Sequence, residues 1–149
     1  MSSSSPVSVP ASIAERLADA RARIDATARD AGRDPDAVTL VAVTKTQPWG
    51  RVKAILDAGQ AVFGENRVQE ADGRWQKRRH DYPDLELRLV GPLQTNKAEQ
   101  AVALFDVIET LDREKLARAL RKAIGKVGRT PRFYVQVNTG EEEQKSGLL

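Results

Sequence analysis

The chain has 149 residues, 40% of them hydrophobic and 30% charged, a composition suited to one domain with a sizeable core. Its 24 Lys and Arg stand against 21 Asp and Glu, and the resulting net charge of +3 gives little drive toward nucleic acid. Cysteine is absent and His80 is the single histidine, which excludes disulfides, thiolate metal sites, multi-histidine metal centres and any Ser-His or Cys-His triad that does not use His80.

No apolar run approaches the ~20 residues of a membrane helix. Met1 to Pro10 is rich in serine and proline, with no charged start and no apolar centre. Residues 1–11 are therefore expected to be a disordered tail rather than a signal peptide, and the cytoplasm is the default compartment. Ser12 and Glu15 have the spacing of a capping box, and Ile13, Leu17, Ala20, Ile24 and Ala31 recur at helical spacing behind them. Gly32 is a natural stop, and Asp34-Pro35 turns the chain.

Leu40 to Thr46 then runs apolar without alternation, the pattern of a parallel strand buried on both faces. Lys45 stands at its carboxyl end, the edge where α/β folds place their chemistry. Desolvation there would disfavour the ammonium form and leave a nucleophilic amine, the requirement for a Schiff-base lysine. A lysine at a strand end also commonly snorkels into solvent, and the residues alone leave both readings open.

Pro48 suits the first turn of a second helix carrying Val52, Ile55 and Leu56, with Gly59 beyond it. Ala61-Val62-Phe63 is a second strand, and Gly64-Glu65-Asn66 leaves its end. Asn66 is placed to cap a third helix with Val68, Ala71 and Trp75 on one face, ending in Lys77-Arg78-Arg79-His80. That basic cluster is expected to complement the helix dipole in solvent rather than contact phosphates. Leu85 to Val90 alternates, so that Glu86 and Arg88 would face the interior of the sheet if the leucines face the helices. Thr95 or Asn96 is expected to cap a short fourth helix, and Asp106 to Thr110 to form a fourth strand. Asp112 is expected to cap a fifth helix with Leu116, Leu120, Ile124 and Val127 on its buried stripe, closed by Gly128 and Pro131. Phe133 to Asn138 reads as a fifth strand, and Thr139 to Leu149 as a loop.

Strands alternating with helices give the βα rhythm of a parallel sheet. No G-x-G-x-x-G follows the first strand and no G-x-x-x-x-G-K-[ST] occurs, which weakens a dinucleotide or P-loop reading. An eight-fold barrel takes ~250 residues and at least about 200. The sheet is thus either an open one of five strands or the first part of a barrel.

Four stretches bear on that choice: Ala42-Val43-Thr44-Lys45-Thr46, Phe63-Gly64-Glu65-Asn66-Arg67-Val68-Gln69-Glu70, Gly91-Pro92-Leu93-Gln94-Thr95-Asn96-Lys97, and Gln136-Val137-Asn138 through Lys145-Ser146-Gly147. In this order and spacing the chain resembles, from about Ser12 to Leu149, the pyridoxal phosphate homeostasis protein family, also called the YggS or PROSC family. The resemblance implies an α/β fold, the TIM-type barrel of the alanine racemase N-terminal domain, with about five of eight strands present in residues 12–149. It implies pyridoxal 5′-phosphate (PLP) as cofactor, Lys45 as the residue holding it in a Schiff base, and Asn66 as a residue near it. It further implies PLP binding and buffering inside the cell rather than a catalytic cycle, PLP-dependent apoenzymes as candidate partners, no nucleic-acid or membrane partner, and a monomer for a complete homologue. The alternatives are a fold-type III PLP enzyme such as an amino-acid racemase, a gene fragment without function, and a basic interaction module using Lys77 to His80.

Two departures stand out. Members usually carry a histidine where this chain has Arg88, and an arginine inside a barrel needs a carboxylate partner, with Glu65, Glu86 and Asp106 the candidates. The family also continues through three more strands, and barrels of this class commonly hold phosphate after strands 7 and 8. The phosphate-binding residues are accordingly expected beyond Leu149, and the 149-residue chain is expected to bind PLP weakly and to expose open sheet edges.

Overall fold

Five parallel strands lie side by side in the order in which the chain makes them, each paired with the next. The computed structural model describes residues 11–149. The elements are α1 (Ile13–Asp30), β1 (Ala42–Val43), α2 (Trp49–Asp57), β2 (Val62–Glu65), α3 (Val68–Trp75), β3 (Glu86–Leu89), α4 (Ala98–Leu104), β4 (Val107–Leu111), α5 (Glu114–Val127) and β5 (Arg132–Val135). A doubly wound sheet would reverse its strand order at a switch point; this sheet never does, as in a barrel.

Side-chain parity sorts the sheet into two faces. Phe63 of β2, Leu87 and Leu89 of β3 and Ile108 of β4 are fully buried among Val52, Trp75, Val102, Leu116 and Leu120 of the helices. Burying each such side chain contributes roughly 1.5–3 kcal/mol. An aromatic cluster closes one end of this core: the Trp75 ring lies 5.2 Å from Phe63 and 5.7 Å from Trp49, edge-on to the latter. The opposite face, which would line a barrel, carries Gly64 among Val41, Val43 and Val90, with Arg88 beside Gly64 on the neighbouring strand.

The strongest local signals hold. Ser12 and Glu15 make the reciprocal capping box, with Glu15 N–H donating to Ser12 Oγ at 3.2 Å and Ser12 N–H to Glu15 Oε2 at 2.6 Å. Leu116 and Leu120 are buried on α5, and Gly128 ends it in the left-handed region at φ +74°, its N–H bonded to Ile124 O.

Other expectations are corrected. β1 is a two-residue edge strand, not a strand buried on both faces, and Val43 is 48% exposed because no strand covers it on one side. Residue Arg67, not Asn66, precedes α3; Lys97, not Thr95 or Asn96, precedes α4; and Arg113, not Asp112, precedes α5. None of the three makes a side-chain capping bond, so tertiary packing rather than a cap starts these helices. β5 stops at Val135, and the chain after it does not simply run off as a loop: Val137 forms a parallel bridge with Leu148. The tail expected over residues 1–11 lies, up to residue 10, outside the described residues. No helix among the described residues is long and apolar enough to cross a membrane.

Candidate functional site

The register of the first three strands brings the candidate residues to one level. Val43 lies beside Gly64, and Glu65 beside Leu89. Two more bonds carry the ladder past the strand ends, Thr44 N–H to Gly64 O at 3.1 Å and Val90 N–H to Glu65 O at 2.9 Å. Counting on, Lys45, Asn66 and Val90 form one row along the carboxyl edge of the sheet.

Lys45 occupies the second position of a four-residue turn, Thr44 to Gln47, closed by Gln47 N–H donating to Thr44 O at 3.1 Å. Its side chain is exposed, and it makes no ion pair among the described residues. The apolar surroundings expected for its amine are therefore not supplied, since β1 is an edge and Val43 beneath is open. Asn66 is half-buried and lines a cleft of about 570 Å³ with Arg67, Gln69, Pro92, Gln94 and Lys97. Its backbone is pressed against Gly91: a Cβ at position 91 would fall 2.1 Å from Asn66 O. Only glycine allows the loops after β2 and β3 to approach this closely. Lys45 and Asn66 thus share an edge, with no hydrogen bond between them.

Arg88 is buried on the inner face as alternation predicts. It is paired with Glu86 at 2.6 Å and Glu109 at 2.9 Å, and its guanidinium lies 5.9 Å from the Tyr134 ring. Burial alone would lower its pKa, but hydrogen bonds to Glu109 and Glu86 outweigh that and hold it above the ordinary arginine value. Of the three candidate partners only Glu86 is correct. Asp106 instead accepts from Arg79 and Arg129, and Glu65 belongs to a separate cluster. Glu109 was missed although its place in the alternating fourth strand points it the same way as Arg88.

The basic stretch after α3 is not a solvated face throughout. Arg78 lies 4.4 Å over the Trp49 ring, and Arg79 binds Leu104 O and Asp106; His80 is exposed. Among the described residues no three His, Cys, Asp or Glu side chains gather as metal ligands.

Sequence reasoning missed a second layer beneath Lys45. Glu65 is fully buried, and its Oε1 accepts from Thr44 Oγ1 at 2.7 Å, Trp75 Nε1 at 3.0 Å and Arg74 Nη1. Arg74 also donates to Thr44 O and to Gln47 O, both at 2.8 Å. The signal available was a carboxylate ending an apolar strand nine residues before an arginine on the next helix.

Residues 16–149 match the family described as alanine racemase, N-terminal domain. The chain belongs to that family. Within it, the chain is 38% identical over 140 residues to the pyridoxal phosphate homeostasis protein of Escherichia coli strain K12, covering 91% of this chain and 58% of that one. It is 40% identical over 136 residues to the protein of the same name from Pseudomonas aeruginosa PAO1. PipY of Synechococcus elongatus PCC7942 has been solved without PLP, with a TM-score of 0.80 at 39% identity over 93% of this chain and 59% of PipY. It has also been solved with PLP bound, with a TM-score of 0.77 at 38% identity. A histidine racemase from Leuconostoc mesenteroides, 14% identical with a TM-score of 0.61, shares the fold. The chain spans 51–58% of the length of the curated relatives named here and of their kin from Vibrio alginolyticus. The five parallel strands are those of an alanine racemase N-terminal domain barrel, present in part.

Proposed function

We propose that residues 12–149 form a PLP-binding unit in which the Lys45 amine takes the cofactor's aldehyde carbon and Asn66 flanks it, serving intracellular PLP homeostasis rather than a catalytic cycle. The observation that carries this reading is Lys45 itself: an exposed amine, without an ion-pair partner among the described residues, in a built turn at the carboxyl edge of the sheet. PLP supplies an aldehyde that condenses reversibly with amines and a phosphate that carries negative charge. The residues present suit it. Lys45 offers the nucleophile, and Asn66 offers an amide that can donate or accept. Arg67 and Lys97 make the adjoining cleft cationic, with no ion pair to either among the described residues. The similarity to PipY, solved with PLP, supports the same cofactor. PLP-dependent apoenzymes in the cytoplasm are the proposed recipients.

Borohydride reduction of PLP-treated protein, followed by peptide mapping, tests the reading. The stable pyridoxyl label is expected on the peptide containing Lys45. A label on Lys97 or Lys145 that persists unchanged in Lys45→Ala overturns it.

A further inference from the structure

The turn that carries Lys45 is held from below by charges that the cofactor reading does not use. Thr46 has φ +60°, and a β-branched residue in that region is strained; turns of this shape normally put glycine there. Such a conformation persists only where its surroundings over-determine it. Here they do. Arg74 spans the turn, with Nη1 donating to Thr44 O and Nη2 to Gln47 O, each at 2.8 Å, so one planar guanidinium grips the carbonyls at both ends. Glu70 Oε1 accepts the Thr46 N–H at 2.6 Å. Glu65, fully buried, fixes Arg74 and the Thr44 hydroxyl at once.

We infer that Arg74 and Glu70, backed by Glu65, are positioning residues that hold the strained Thr44–Gln47 turn and thereby aim the Lys45 amine. The inference rests on Lys45 being the PLP-reactive residue. A lysine cannot reproduce the grip of Arg74, because an ammonium lacks the planar fork needed to reach two carbonyls in fixed directions. Glu70 is partly exposed, accepts one backbone N–H of the turn and lies 3.4 Å from Arg74 Nη2, so removing it loosens the turn and its grip without opening the core.

The full chain and its Arg74→Lys and Glu70→Ala variants are treated with PLP and borohydride. The label on the Lys45 peptide is compared with that on the Lys145 peptide in the same sample across a pH series. Hydrogen exchange of the Thr44–Gln47 peptide is followed in parallel. In both variants labelling at Lys45 relative to Lys145 is expected to fall about tenfold across the pH series, as misaimed reacting groups do. Exchange of the Thr46 amide is expected to speed up, while the melting temperature of Glu70→Ala stays near that of the parent. No preference for Lys45 in the parent chain overturns the PLP reading and the role of the grip with it. A preference for Lys45 that survives undiminished in both variants, despite faster Thr46 exchange, overturns the positioning role alone.

Discussion

Glu65 shows how much one carboxyl group can determine. Three donors converge on its Oε1, while Oε2 has no partner among the described residues, an uneven arrangement for a side chain that is fully buried. Replacing Glu65 with alanine would remove the acceptor and leave the Arg74 guanidinium, itself only 10% exposed, without its buried counter-charge. Breaking a buried pair from one side costs about 3–5 kcal/mol. Glu65→Ala is therefore expected to lower stability by that amount, read as a fall in the denaturation midpoint at constant slope. A loss below about 1 kcal/mol would mean that Arg74 is satisfied by the turn carbonyls and Glu70 without Glu65.

At the scale of the elements, α5 and α1 contribute unequally. α5 buries Leu116, Leu120 and Ala123 in the main core, whereas α1 buries only Ala28 despite being the longer helix. Leu120→Ala is expected to cost about 2–5 kcal/mol, the range for a buried leucine. Leu17→Ala, on a half-buried site of α1, should cost clearly less in the same denaturant series. These helices also show where a sequence is readable. The capping box of Ser12 and Glu15 and the Gly128 stop on α5 are completed within a few residues, so spacing alone reveals them. The starts of α3, α4 and α5 have no side-chain cap and depend on packing, so Asn66, Thr95 and Asp112 were plausible caps that the fold does not use. Lys45 and Asn66 were visible as strand-end residues, but Arg74 was not. Its partners lie 30 and 27 residues back in the chain, at Thr44 and Gln47, and only the sheet brings them under it. The same holds for Arg78 and Arg79, whose contacts with Trp49 and Asp106 cross several elements.

For the whole molecule, the sheet ends in two edges. Val43 on β1, and Tyr134, Val135 and Val137 on and after β5, are each 45–57% exposed. Unpaired strand edges beside exposed apolar side chains favour association. The isolated 149-residue chain is expected to bind a hydrophobic dye such as ANS and to self-associate with rising concentration. A monomer by sedimentation at all concentrations, with no dye binding, would contradict that. The strand order has a further consequence, for synthesis. Because β1 to β5 pair strictly in succession, each new βα unit finds its partner strand already made when it leaves the ribosome. No unit waits for a later one to complete its pairing on that side, so the growing chain can lay down its sheet from the amino end, one hairpin-free step at a time. The Lys45 turn gains its backing in the same sequence: Glu65, Glu70 and Arg74 are all translated within 29 residues of it, before β3 is made.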